Sequence, residues 1–175
     1  MKRIFVLAAV LFIALTASKN VNAQAPAGKK LLNIAFESGF PIGDAKDVYS
    51  VVLGGSLQAE FPISEKFSVT GTAGYSSFQP KSEFKDILDG YGFVPVKVGG
   101  KYYFGSNFYG IGELGAAFGT GEGASTAFVY APGIGYSFPV ADNKFVDVSA
   151  RYEGHSVEGG SMSFFGLRFA YSFGF

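Results

Sequence analysis

Nine charged residues sit where an extended chain would turn them all to one side: Glu37, Glu60, Lys97, Lys101, Glu113, Asp147, Arg151, Glu153 and Arg168. Five are carboxylates and four are cations. Enclosed together, such a set can form a salt-bridged plug, line a narrow gated ion path, or pass protons between paired carboxylates. An isolated enclosed charge is very costly, so confinement favours pairing. With Arg151 and Arg168 expected on adjacent strands, at least one should bridge a carboxylate across the enclosed space.

Two other motifs invite chemistry and fail on geometry. Gly110-Ile-Gly-Glu-Leu-Gly115 matches the dinucleotide fingerprint, but that fingerprint works only as a turn between a strand and a helix N-terminus. Here the glycines fall inside an expected strand. His155 is the only histidine, which removes any multi-histidine metal site. It stands beside Ser156 and near Glu158, as a Ser-His-acid set would. Adjacent strand residues point to opposite faces, however, and such a triad is defined by geometry. At the opening of an expected outer loop, His155 reads as a solvated side chain.

Alternating segments must position the charges. From Phe165 every second residue is large and apolar: Phe165, Leu167, Phe169, Tyr171, Phe173 and Phe175. Between them stand Gly166, Arg168, Ala170, Ser172 and Gly174, the period of two of a strand with two unlike faces. Strands are expected at Leu32–Gly43, Tyr49–Phe61, Phe67–Phe78, Phe93–Phe104, Phe108–Phe118, Thr126–Phe138, Phe145–Gly154 and Ser163–Phe175. Their lengths approach the ~9–11 residues that cross a bilayer at a tilt, and their even number suits a closed barrel. Every charge within them falls on the side of the small residues, opposite large apolar residues such as Leu57, Phe61, Tyr102, Phe128 and Tyr136. Glycines such as Gly99, Gly100 and Gly133 are expected to let a small barrel curve and aromatic rings lie across them.

The connections alternate in length. Those at 62–66, 105–107 and 139–144 are tight, whereas 79–92, 119–125 and 155–162 are longer; the first, 44–48, is short. Short turns at one end and longer loops at the other suit a transmembrane barrel. The segment 79–92 mixes charge with Phe84, Ile87, Leu88 and Tyr91, spaced for one amphipathic helical turn on the rim. With 155–162 it is the candidate contact surface for an extracellular partner.

Ahead of the strands, Lys2 and Arg3 precede an apolar run from Ile4 to Leu15, and Val21-Asn22-Ala23 carries small residues for cleavage. Residues 1–23 are therefore expected to be a cleavable signal peptide. Residues 24–31 form a short polar lead, expected to be disordered, and 32–175 the barrel domain. Cleavage removes Lys2, Arg3 and Lys19 from 14 basic residues, leaving 11 against 14 acidic ones. That balance offers no footprint for nucleic acid. The chain has no cysteine, which excludes disulfides, thiolate metal sites and a lipid-anchored N-terminus. No cofactor is implied.

With these features the chain resembles the small eight-stranded outer-membrane barrels of Gram-negative bacteria, the family of the barrel domain of outer membrane protein A and its short relatives. The likeness covers about Leu32 to Phe175 and includes the terminal Tyr171-Ser-Phe-Gly-Phe175. It implies an all-β, antiparallel up-and-down transmembrane barrel in the outer membrane, both termini periplasmic. It also implies contact with outer-membrane lipid, and with periplasmic chaperones and the barrel-assembly machinery during insertion. Tyr171, Phe173 and Phe175 would then be the assembly signal. Outer-membrane lipid A deacylases use the same architecture, but their histidine and serine are two apart on one lipid-facing strand. Here the residue two after His155 is Val157.

The expected function is non-enzymatic: a largely plugged barrel serving envelope integrity, surface contact, or both. A porin-like pore or a carrier of hydrophobic ligands is the main alternative, and a soluble lipocalin-like barrel the third. Deleting Phe175 should chiefly damage insertion. The measurement is the fraction of chain showing heat-modifiable gel mobility after expression, and an unchanged fraction would count against the assembly role.

Overall fold

The computed structural model describes residues 26–175 apart from 86, 88, 89, 122–124 and 158. The expected signal segment and Glu158 lie outside the described residues. Eight strands follow one another: β1 (Leu31–Ile42), β2 (Tyr49–Pro62), β3 (Phe67–Pro80), β4 (Tyr91–Tyr103), β5 (Phe108–Thr120), β6 (Thr126–Ala141), β7 (Lys144–Val157) and β8 (Gly160–Gly174). One helical turn, α1 (Ala45–Val48), joins the first two. Each strand pairs antiparallel with the next, and β8 returns to β1 to close the barrel. The closing seam runs unbroken from Leu31 opposite Gly174 to Ile42 opposite Ser163. Closure leaves no strand edge to recruit another chain.

The alternation in sequence becomes the two faces of this wall. Leu32, Ile34 and Phe36 on β1 are exposed outside, while Leu31, Asn33, Ala35 and Glu37 between them are buried. On β8 Phe165, Leu167, Phe169, Tyr171 and Phe173 face outward, and Phe164, Arg168, Ala170 and Ser172 inward. The β6–β7 turn is only Asp142-Asn143, and Asn143 takes a φ of 56°, a left-handed conformation that asparagine tolerates better than most residues. The turns near 64, 105 and 142, the start of β1 and the C-terminus lie at one end of the barrel; the longer connections lie at the other.

Three expectations about the ends need correction. The span 155–162 is not an outer loop: His155 pairs with Met162, Ser156 with Ser161 and Val157 with Gly160. The ladder continues because the inward residues there find an aromatic interior to pack on, and β7 runs to Val157 before β8 starts at Gly160. The single amphipathic helical turn expected from Phe84, Ile87, Leu88 and Tyr91 is also not formed as such among the described residues. Phe84 donates its N–H to Lys81 O and Ile87 to Phe84 O, giving successive turns. Tyr91 instead opens β4, its ring 4.6 Å from that of Phe93, Ile87 is bare, and Leu88 lies outside the described residues. Finally, the described part of the lead is tied down. Lys29 donates to Asn143 Oδ1 at 2.6 Å, and Phe175 N–H to Lys30 O.

Aromatic rings do lie across outward-facing glycines, Phe67 over Gly100 and Tyr130 over Gly154. Inside the wall the constraint is harder: a Cβ on Gly99 would meet the backbone of Gly112 and Glu113. Gly99→Ala should therefore destabilise the barrel by about 1–3 kcal/mol, clearly more than Gly100→Ala, where a ring end can swing aside. Urea unfolding of the two variants in detergent micelles measures this, and equal costs would show that the Gly99 approach is not limiting.

Candidate functional site

All nine sequence-selected charges point into the lumen, each 7% exposed or less. Along β7, from the tight-turn end upward, the inward residues are Phe145, Asp147, Ser149, Arg151, Glu153 and His155. Successive layers of the interior assemble around them.

Lowest is a group centred on Lys101. Its ammonium lies 3.0 Å from Glu60 Oε2 and 3.5 Å from Asp147 Oδ2, and 3.8 Å from the centre of the Tyr109 ring. Tyr103 donates to Glu60 at 2.9 Å, and Tyr109 and Ser137 donate to Asp147 at 2.6 and 2.7 Å. Each carboxylate here thus has a cation and at least one hydroxyl donor. That is what buried ion pairs need to offset the loss of water.

In the middle, Arg168 lies opposite Glu37 across the closing seam. Its Nε is 3.4 Å from Glu37 Oε1, which also accepts from Ser56 at 2.6 Å. Arg151 reaches Glu37 Oε2 at 2.5 Å and Glu153 Oε2 at 3.0 Å, so it bridges as the sequence suggested. Glu113 is held differently. Its Oε1 accepts from Gln58, Thr70 and Thr72 at 3.1, 3.0 and 2.6 Å, a cradle of neutral donors without a cation within bonding distance.

Uppermost is Glu153, fully buried between Lys97 at 2.6 Å, Arg151 and His155. His155 Nε2 is 2.9 Å from Glu153 Oε1. The ionised carboxylate can only accept, so Nε2 carries the hydrogen. Nδ1 is buried without a hydrogen-bond partner. The ring stands 4.7 Å from Phe93 and 6.1 Å from both Phe78 and Phe164. The expectation of a solvated loop histidine is therefore wrong. His155 is 1% exposed, because β7 continues past Gly154 and the parity of Glu153 carries it inward.

Above His155 the lumen turns apolar. Phe78, Phe93 and Phe164 pack edge to face with Val52 and Val129, with Tyr49 and Tyr91 against them. This lid was not identified from the sequence, although the signal was present: each phenylalanine sits one place from an outward residue, Phe93 beside Val94 and Phe164 beside Phe165. At the opposite end Leu31, Tyr103 and Phe145 are buried. Between the two, a cavity of about 10 Å³ touches Gln58, Tyr109, Glu113, Arg151 and Arg168, room for about one water molecule. Among the described residues no group of histidines and carboxylates could hold a metal ion. The glycines of 110–115 lie within β5, with no helix N-terminus to receive a phosphate.

Solved structures share this architecture. The outer membrane protein Ail of Yersinia pestis, in a phospholipid bilayer nanodisc, aligns with a TM-score of 0.59 at 17% identity, over 85% of this chain and 99% of that one. The chain has the fold of the small eight-stranded outer-membrane barrels. The N-terminal β-barrel domain of Pseudomonas aeruginosa OprF aligns at 0.50 with 15% identity, over 83% of this chain and 99% of that one. OprG from the same organism aligns at 0.50 with 11% identity, over 87% and 99%. No protein-family model and no curated protein matches the chain. Likeness at this identity speaks for the fold, not for an activity.

The lumen's layers should differ in what they contribute. Glu153→Gln strips the shared carboxylate from Lys97 and Arg151 and should cost about 3–5 kcal/mol. Glu113→Gln keeps a carbonyl acceptor for its neutral donors and should cost less, about 1–2 kcal/mol. Equilibrium urea unfolding in micelles ranks the two, and the reverse order would refute this assignment.

Proposed function

We propose that this protein is a non-enzymatic, integral outer-membrane barrel whose lumen is closed and whose work is done at its surfaces, in envelope integrity and in contact through its outer connections. The observation that carries the reading is the contrast between its two faces. The outer wall is a continuous apolar girdle, with Phe36, Leu57, Val98, Leu114, Ile134 and Phe165 all about half exposed or more. The inner wall is filled by paired charges under an aromatic lid. A soluble protein rarely exposes so extended an apolar surface, which disfavours a lipocalin-like secreted barrel. A bilayer covers it, and charges kept inside avoid the ~2–4 kcal/mol that one costs at the lipid midplane.

Short turns, with the start of β1 and the end of β8, at one pole suit the periplasm, and longer connections at the other suit the outside. Tyr171, Phe173 and Phe175 then present outward rings on the terminal strand, Phe175 the most exposed, as a readable assembly signal requires. Surface contact falls to residues 81–90, where Ile87 is 79% exposed. A porin-like path has little support, since the filled lumen leaves space for about one water. A lipid A deacylase is disfavoured too, with His155 turned inward and Ser156 out.

Planar-bilayer recording tests the closed lumen. The wild-type barrel should show no steady openings, whereas Phe78→Ala/Phe93→Ala combined with Glu153→Ala should conduct. Steady ion-selective wild-type openings that change on neutralising Arg151 or Arg168 would overturn the proposal.

A further inference from the structure

A polar pocket sits on the outer wall at the loop end, where β7, β8 and β1 meet. It has a volume of about 260 Å³ and is lined by Ile42, Gly43, Asp44, Tyr152, Ser161 and Ser163. On β8 the outward face changes character there: Ser161 and Ser163 give way to Phe165 and Leu167. The pocket therefore lies where the apolar girdle ends, with the Tyr152 ring as its aromatic wall.

Three features mark it as more than a dent. The hydroxyls form a chain, Tyr152 donating to Ser163 Oγ at 2.9 Å and lying 3.4 Å from the Tyr130 hydroxyl. The Tyr152 ring is fixed from below by Phe165, with centroids 5.7 Å apart, so it offers a held apolar wall. Asp44 occupies the N-cap position of α1, yet its side chain makes no capping bond. Its backbone is αR (φ −66°, ψ −27°) rather than the extended cap conformation, which leaves the exposed carboxylate to line the pocket.

We infer that this pocket holds the sugar headgroup of a glycolipid in the outer leaflet, a site that rests on the outer-membrane reading above. A carboxylate accepts from vicinal hydroxyls, the serine hydroxyls both donate and accept, and an aromatic ring carries the apolar face of a sugar. The volume falls below the ~300–1,000 Å³ of drug-sized sites, which suits one sugar residue. The Asp44 carboxylate disfavours an anionic phosphate at the same place. Continuity with Phe165 and Phe40 beneath gives acyl chains a surface to follow, which favours a lipid-linked sugar over a free one.

The test is amide NMR of the labelled full barrel in phosphatidylcholine nanodiscs, titrated with glucosyl diacylglycerol, with phosphatidylglycerol and with free methyl glucoside. Saturable shifts at Gly43, Asp44, Ser161 and Ser163 are expected with the glycolipid alone. Asp44→Asn should weaken that binding about tenfold, as loss of a charge-assisted bond does; Tyr152→Phe/Ser163→Ala should weaken it as well. Shifts spread around the girdle without saturation, or equal response to phosphatidylglycerol, would overturn the site. An equal response to methyl glucoside would overturn the lipid-linked commitment. Failure to give a dispersed β-sheet spectrum in nanodiscs would overturn the membrane reading, and this site with it, and is distinguishable because it precedes any titration.

Discussion

Closure of the sheet onto itself governs everything else in this molecule. Once β8 has paired with β1 through twelve consecutive residues, alternate side chains of every strand have only the interior to occupy. With eight strands that interior is about wide enough to be filled by side chains. The charges inside must then find partners within a few ångströms or lose solvation without return. The seam itself supplies one such meeting, since its register places Glu37 opposite Arg168.

The solution is graded along the barrel. Near the turns, Lys101 is shared by two carboxylates and backed by tyrosines; higher up, Glu153 is shared by two cations and a histidine. Stoichiometry thus reverses between the layers, and the two compensate. Glu113 needs neither arrangement because β2 and β3 bring neutral donors to it. The aromatic lid packs directly on His155 above the upper layer, and in so low a dielectric any single deletion there is expensive.

Parity made most of this legible. A residue's face on a strand follows from counting, so the sequence alone places Glu37, Lys97 and Arg168 inward and the terminal aromatics outward. Counting fails where a strand's end is misjudged. The sequence from His155 to Met162 holds glycines and serines that read as loop, but tertiary packing on Phe78, Phe93 and Phe164 holds the ladder together beyond them. His155 was misplaced for that reason alone. Partners within the lumen were illegible for a different one: which cation reaches which carboxylate depends on strand stagger around the closed wall, and no local pattern records it. The roles of Tyr103, Tyr109 and Ser137 as donors belong to the same class.

The lumen contacts are long in sequence. Lys97 and Glu153 are 56 residues apart, Gln58 and Glu113 55, and Glu37 and Arg151 114. None of these three joins neighbouring strands of the wall; each reaches across the interior or over an intervening strand, unlike Arg168–Glu37 at the seam. Contacts of this kind depend on the closed cylinder rather than on any single hairpin. Interactions that appear after the rate-limiting step leave the folding rate untouched and slow the reverse reaction. Where closure follows the rate-limiting step, the polar interior acts as a latch on opening: it sets how long the closed barrel persists rather than how quickly it forms.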